Sequence, residues 1–183
     1  MKFFSGNSYH IFNQGNNQEQ LFFDDFHFLF FMQLYKEYVH PHCETLAWCL
    51  MHNHFHFMIY ADKRCLQLRK QGGLMLDPIT NGFRKLLSTY AHQFNSKSDR
   101  SGALFRPKTK SICLNEEAKL NNPLLSKQSY CLNTFNYIHN NAVAAGMVQH
   151  AEDWKWSSFA FYNGLSDDAF CNKELAMKIC DLI

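Results

Sequence analysis

The chain has 183 residues, of which 46% are hydrophobic and 19% charged, and its formal net charge is +2 with histidine neutral. This length and composition are typical of one folded domain with a sizeable core, and they exclude an intrinsically disordered chain. The small net charge also excludes strong indiscriminate binding of nucleic acid, so any such binding has to come from local basic patches.

The cysteines and the apolar segments indicate a reduced, non-membrane protein. There are seven cysteines, an odd number without a Cys-x-x-Cys pair, which predicts free thiols and a cytoplasmic location. The first residues lack an apolar stretch with a small-residue cleavage site, so we expect no signal peptide. The run 22–34 is too short to span a bilayer and contains Asp24, Asp25 and His27, which predicts no membrane segment.

The first half of the chain predicts a strand, a helix and a hairpin. The strand covers residues 9–13 and is ended by Gly15. An aspartate at 24 or 25 can cap a helix that runs to about residue 39, before Pro41. Two apolar runs, 43–51 and 54–61, predict the paired strands of a hairpin. Residues 63–73 are predicted to form a basic connector, a segment that links the hairpin to the next helix.

The rest of the chain predicts helices at 77–94, 126–145 and 173–182, and a strand at 108–114. Gly146 follows the middle helix at the position of a C-terminal cap. The order β-α-β-β-α-β-α predicts an α+β fold: an antiparallel sheet with helices on one face, similar to the ferredoxin-like (RRM-like) plan. We expect one domain over residues 1–162 and a C-terminal extension, with a short helix, over 163–183.

The most informative run is residues 52–60, which places histidines inside an apolar strand. Because side chains alternate in a strand, His54 and His56 point to one face, and Phe55 and Phe57 to the other. Two imidazoles on one face can bind a single metal ion.

The helix predicted at 126–145 has two stripes. An apolar stripe is formed by residues at spacings of four, three and four positions, namely Cys131, Phe135, Ile138 and Ala142. A second stripe contains Tyr137 and Asn141, which are four residues apart, so that a site contacting one can contact the other. Periodicity alone does not select Tyr137 among the eight tyrosines.

Five ordered blocks resemble the single-tyrosine (Y1) HUH transposases, and most closely the REP-associated tyrosine transposases. They are residues 9–17, 46–59, 102–106, 137–148 and 156–159, and the resemblance covers about 8–162. It implies an HUH endonuclease fold and a metal-dependent single-strand DNA transesterase that cleaves and rejoins hairpin-associated DNA through a covalent 5′-phosphotyrosine.

The resemblance also implies roles for individual residues. Tyr137 matches the nucleophile, His54 and His56 match the metal-binding pair, and Asn141 matches the polar residue that completes the metal site. The implied metal is Mg or Mn. The chain departs from the usual pattern at three positions, with Gln14 in place of Arg, and His52 and Ala142 in place of Pro.

Basic clusters near these motifs are candidate contacts to the phosphates of single-stranded or hairpin DNA. They are Arg84, Lys85, Arg106, Lys108 and Lys110, with further cations at 63–64, 69–70, 97 and 100. The resemblance implies association with the bacterial nucleoid, and it leaves both a monomer and a homodimer open.

Two other functions remain open. One is a domesticated protein that binds DNA hairpins and no longer supports transposition. The other is a zinc-type hydrolase that uses His52, His54 and His56 with donors from His40, His42 or Cys43.

Overall fold

A four-stranded antiparallel sheet forms the centre of the protein. The computed structural model describes residues 1–71, 73–115, 127–167 and 170–182. The sheet has the order β2-β3-β1-β6 and is formed by β1 (Asn7–Gln14), β2 (Glu44–Met51), β3 (His54–Ala61) and β6 (Lys110–Cys113). This is the strand order of the ferredoxin-like plan, so the predicted α+β fold class is confirmed.

The register of β1 and β3 divides their side chains between two faces. Phe12 lies opposite His56, and Gln14 opposite His54. Since directly paired residues share a face, these four side chains lie on one side of the sheet. The other side carries Ile11, Phe55 and Phe57 in the larger of two buried clusters.

Two long helices cover this larger cluster: α1 (Asp25–Tyr38) and α2 (Pro78–Lys97). The carboxylates of Asp24 and Asp77 cap them, accepting the backbone N–H groups of His27 and Thr80. The helices approach closely because α2 has Gly82 at their contact. A Cβ there would lie 2.2 Å from the carbonyl oxygen of Tyr38.

The remaining long helix, α3 (Lys127–His139), packs on the opposite face of the sheet. Its apolar stripe is buried against β2 and β3, as the spacing predicts, in a second cluster with Cys49 and Met58. The expectation of helices on one face is therefore correct for α1 and α2 and wrong for α3. The reason is that both faces of β2 and β3 are buried, so that each face of the sheet needs a cover.

The helix predicted at 126–145 is interrupted. The structure has α3, which ends at His139, and a separate turn α4 (Asn141–Ala144); residue 126 lies outside the described residues. The Asn136 carbonyl accepts both the backbone and the side-chain N–H of Asn140, at the break. Gly146 caps the segment at φ 67°, as predicted.

The C-terminal part adds α5 (Phe159–Tyr162) and α6 (Lys173–Cys180). Helix α6 matches the prediction at 173–182 apart from the last two residues. It buries Ala176 and Cys180 against α3 and β2. The division of the chain at residue 162 stays a prediction.

The basic connector predicted at 63–73 is instead structured. It contains a 3₁₀ turn and β4 (Arg69–Gln71), which pairs with β5 (Leu74–Leu76) in a small hairpin. In the turn, Arg64 forms ion pairs with Asp62 and Glu44, which raise the pKa of its guanidinium. The Arg64 side chain is therefore paired with carboxylates of the protein itself, although its positive charge would also suit a contact to a DNA phosphate.

Two other expectations concern the thiols and the membrane. All seven cysteines lie in the described residues, and none of them forms a disulfide. Over the described ranges, no helix has the length and apolar character needed to cross a bilayer.

Candidate active site

The face of the sheet that α3 covers carries the two histidines of the motif. The His54 Nε2 atom lies 3.1 Å from the Asn141 Oδ1 atom, and the His56 Nε2 atom lies 3.5 Å from the Asn141 Nδ2 atom. One amide, from α4, therefore meets both imidazoles, which belong to β3. Asn141 follows the break after α3 and is buried.

The outer nitrogens of both rings have partners of their own. The Nδ1 atom of His54 lies 2.6 Å from the Asn53 Oδ1 atom, an acceptor to which an Nδ1–H group can donate. The Nδ1 atom of His56 lies 2.9 Å from the Nε2 atom of His10, a buried histidine of β1. With its proton on Nδ1, the His56 Nε2 atom accepts the Asn141 amide N–H. The His54 Nε2 atom faces the Asn141 oxygen and donates to it when protonated, whereas a proton on Nδ1, donated to Asn53, leaves the Nε2 lone pair available for a metal ion.

The surroundings of these rings favour their neutral forms. Burial lowers the pKa of His54, opposed in part by its bond to Asn141. Burial, together with the neighbouring His10 and His54, holds the pKa of His56 well below its usual range. Burial also lowers the pKa of His10 to about 4. Neutral imidazoles are the form that binds a metal ion.

Tyr137 lies beside this group on α3. Its ring meets the His56 ring edge-on, with centroids 5.4 Å apart, and the His10 ring at 6.0 Å. The residue is nevertheless 52% exposed. Tyr137 therefore sits at the edge of the candidate site and is open to a ligand from solvent.

A buried contact just after Tyr137 fixes the end of α3. The Nε2 atom of His139 lies 2.7 Å from the Ser158 Oγ atom, which also accepts the backbone N–H of Trp48 on β2. Ser158 belongs to the block 156–159 that the sequence singles out. This block therefore ties the end of α3, where Tyr137 lies, to the sheet.

The donors around Asn141 fit a divalent cation. Ligands about 2.1 Å from one ion lie roughly 3.0–3.4 Å from each other, and the 3.1 Å between the His54 Nε2 and Asn141 Oδ1 atoms matches such a pair. In the described part of the chain, no three His, Cys, Asp or Glu side chains form a cluster that could hold a metal ion. The site therefore depends on the Asn141 amide as its third donor.

The donors required by a zinc-type hydrolase are not brought together. The Nδ1 atom of His52 lies 3.1 Å from the Phe22 carbonyl oxygen, and its ring packs against Trp154. His40 contacts Thr45, and the Cys43 thiol contacts the Val39 carbonyl. His52 thus has a structural role, left unassigned by the sequence, in holding the segment that precedes α1.

Four of the five cations predicted to bind DNA share one cleft. Arg84 lies on one wall, and Arg106, Lys108 and Lys110 lie on the other. Lys85 is the exception, since its ammonium lies 5.8 Å from the ring centroid of Tyr38, beside a different, smaller pocket. Consecutive helical residues diverge by about 100°, so one helix face cannot present both Arg84 and Lys85.

The sequence reasoning missed His10. The residue belongs to the first resembling block, and alternation along β1 places it with Phe12 on the face opposite Tyr9 and Ile11. A polar residue at an inward-facing position of the strand predicted at 9–13 is the signal in the sequence that indicates His10. The structure makes it the direct neighbour of His56.

Comparison with known proteins identifies the fold. No protein-family model matches the chain, and no curated protein matches its sequence. A solved structure described as a REP-associated tyrosine transposase bound to a REP hairpin superposes with a TM-score of 0.61. The match covers 94% of this chain and 95% of that one at 14% identity. The fold implied by the five sequence blocks is therefore confirmed.

Proposed function

We propose that the protein is a metal-dependent transposase of single-stranded DNA, which cleaves and rejoins strands next to hairpins. The main support for this proposal is that Tyr137, on α3, lies beside His54, His56 and Asn141 on one face of the sheet. The fold of a transposase bound to a DNA hairpin and the basic cleft near the site support it further.

Tyr137 is the proposed nucleophile. Its phenolic oxygen forms a bond to a DNA phosphorus atom, the bond from phosphorus to the 3′ oxygen breaks, and the 3′ oxygen takes up a proton to become a hydroxyl. The phenolic proton is released to solvent, to which the half-exposed side chain is open. The product is a 5′-phosphotyrosine, which keeps the phosphoester bond available for rejoining to another 3′ hydroxyl.

His54, His56 and Asn141 are the proposed ligands of a divalent ion, Mg or Mn. Such an ion supplies charge that polarises a phosphoryl oxygen beside the nucleophile. Asn53 and His10 hold the two imidazoles with their Nε2 atoms toward the amide. The edge-on contact between His56 and Tyr137 keeps the nucleophile next to the ligands.

Cleavage of a labelled hairpin with single-stranded flanks, in Mg or Mn, tests the proposal. We expect the wild-type protein to leave the label attached to protein after denaturation, and Tyr137→Phe to abolish this adduct while still binding DNA. Tyr130→Phe, seven positions earlier on the same helix, is the matched control. Binding of the hairpin without any adduct from the wild-type protein would contradict the proposal and favour a hairpin-binding protein without chemistry.

A further inference from the structure

Both nitrogens of the His54 ring face an oxygen atom of an amide side chain. The Nδ1 atom lies 2.6 Å from the Asn53 Oδ1 atom, and the Nε2 atom lies 3.1 Å from the Asn141 Oδ1 atom. Both oxygens accept hydrogen bonds, and a neutral imidazole has a single N–H group to donate. The two amides therefore compete for one proton, and each of them favours a different tautomer of the ring.

The tautomer decides whether His54 can bind a metal ion. With the proton on Nε2, the ring donates to Asn141 and has no lone pair toward the proposed ion. With the proton on Nδ1, the ring donates to Asn53, and its Nε2 lone pair faces the Asn141 oxygen. Two lone pairs that face each other repel, and a cation between them is attracted to both. The second tautomer is therefore the one that binds an ion.

Asn53 favours that second tautomer only while its amide oxygen faces the ring. An amide turned by half a rotation would present N–H donors to Nδ1 and would favour a proton on Nε2. The other end of the amide determines its orientation, since the Nδ2 atom donates to the backbone carbonyl of Gln18 at 3.4 Å. A carbonyl oxygen can only accept, so it attracts the NH₂ group and leaves the amide oxygen for His54.

The carbonyl of Gln18 belongs to a segment, residues 15–22, that encloses the turn between β2 and β3. The backbone N–H groups of Leu21 and Phe22 both donate to the carbonyl of His52, in that turn. These bonds join main-chain atoms, so they do not depend on the side chain at position 53. The segment therefore presents its carbonyl to that side chain from a fixed place.

Further contacts hold the same segment from outside. The buried hydroxyl of Tyr90, on α2, donates to the Leu21 carbonyl at 2.6 Å, and Glu19 forms an ion pair with Arg100. Gln18 lies between these two contacts and the end of β1, with a left-handed backbone at φ 60°. Such a backbone is uncommon for a residue with a side chain, and the surrounding structure has to maintain it.

From this geometry we propose that Asn53 is a positioning residue that selects the tautomer of His54, and that the Gln18 carbonyl orients it. The Asn53 oxygen keeps the proton on Nδ1, so the Nε2 lone pair stays available. Without this amide the proton resides on Nε2 and donates to Asn141, and an ion has to displace it to Nδ1 before binding. The inference rests on the proposed function for the role of His54 as a metal ligand.

The ¹⁵N chemical shifts of the His54 ring test this inference, because protonated and unprotonated ring nitrogens have different shifts. Spectra are recorded on histidine-labelled protein in EDTA and without DNA, at about pH 8, where imidazole is neutral. The chain has ten histidines, and the His54 signals are those missing from His54→Gln. We expect the proton on Nδ1 in the wild type and on Nε2 in Asn53→Ala.

Two further variants separate the hydrogen bond from a general disturbance of the turn. Asn53→Asp keeps an acceptor oxygen beside Nδ1, so we expect it to return the proton to Nδ1. Asn16→Ala removes a side-chain amide of the segment 15–22 that takes part in none of these hydrogen bonds, and it should match the wild type. Titration with Mn²⁺ should show binding weakened about 10–100-fold in Asn53→Ala and not weakened in the other two variants.

Five outcomes would overturn the inference. The tautomer would do so with a proton on Nε2 in the wild type, a proton on Nδ1 in Asn53→Ala, no return to Nδ1 in Asn53→Asp, or a shift to Nε2 in Asn16→Ala. An unchanged Mn²⁺ affinity of Asn53→Ala is the fifth. Neither measurement involves DNA, so a protein that shows the expected pattern and cleaves no strand would lose the proposed function and keep this inference.

Discussion

The ring of Tyr137 meets the ring of His56 edge-on, with their centroids 5.4 Å apart. The two residues come from α3 and β3, 81 positions apart in the chain. Their contact brings the proposed nucleophile against a proposed metal ligand without any other element between them. A displacement of α3 relative to the sheet would therefore separate the two parts of the proposed chemistry.

Loss of either histidine of the pair should remove metal binding. We expect His54→Ala and His56→Ala each to weaken Mn²⁺ binding beyond detection and to reduce strand cleavage by orders of magnitude, because each removes one of three ligands. Calorimetric titration with Mn²⁺ and a cleavage assay measure the two effects. His92→Ala, an exposed histidine on α2, is the control and should behave as the wild type. Full cleavage by either variant, or by the wild type in excess EDTA, would contradict the assignment.

Replacement of His10 should act through His56. The Nε2 atom of His10 is the partner of the His56 Nδ1 atom, and such outer partners of metal-binding histidines are worth about 10–100-fold in metal affinity. We expect His10→Ala to weaken Mn²⁺ binding within that range while hairpin affinity in EDTA stays unchanged. Mn²⁺ affinity equal to that of the wild type would show that His10 only fills space.

The buried His139 should make the folded protein sensitive to acid. Burial lowers its pKa from 6.5 to about 3. As the pH falls below 6.5, the unfolded chain takes up a proton that the folded protein takes up only near pH 3, so stability is lost on acidification. One such group lowers the free energy of unfolding by about 1.4 kcal/mol per pH unit across this window.

Denaturant unfolding in EDTA between pH 7 and pH 4 measures this effect. We expect His139→Gln, which keeps a polar group toward Ser158, to reduce the pH dependence by about one proton. A variant whose stability falls with pH as steeply as that of the wild type would show that other groups carry the dependence.

Removal of a cation that lines the cleft should change the salt dependence of DNA binding, whereas removal of a cation that forms ion pairs within the protein should not. We expect Arg106→Ala to lower the dependence of hairpin binding on salt by about 0.7 log units per log unit of salt, the value for one single-strand phosphate. Arg64→Ala should leave that dependence unchanged, since Arg64 pairs with Asp62 and Glu44. Fluorescence anisotropy at several salt concentrations gives both slopes. Equal slopes for Arg106→Ala and the wild type would remove Arg106 from the DNA contacts.

Much of the fold follows from local pattern. Alternation predicts the face of His54 and His56, and the spacing of Cys131, Phe135, Ile138 and Ala142 predicts the buried stripe of α3 and α4. Aspartate caps and Gly146 mark helix ends, because their chemistry acts within a few residues. These features depend only on neighbours in the chain.

Other features depend on tertiary contacts and escaped prediction. The placement of α3 opposite α1 and α2 follows from the two-sided burial of the central strands, which depends on how the sheet and the helices pack together. The contact between His10 and His56 joins residues on neighbouring strands, and a pattern along one segment does not reveal it. Charge alone likewise does not separate Arg64, which is paired internally, from Arg106, which is exposed.

The central claim is that Tyr137 becomes covalently attached to DNA. Its most direct test is mass spectrometry of the protease-digested adduct formed by the wild-type protein with hairpin DNA and Mn²⁺. We expect a single peptide containing residue 137, with a nucleotide phosphate on the phenolic oxygen of that tyrosine. Attachment at another tyrosine such as Tyr130, or a cleaved strand with no attached protein, would contradict the claim.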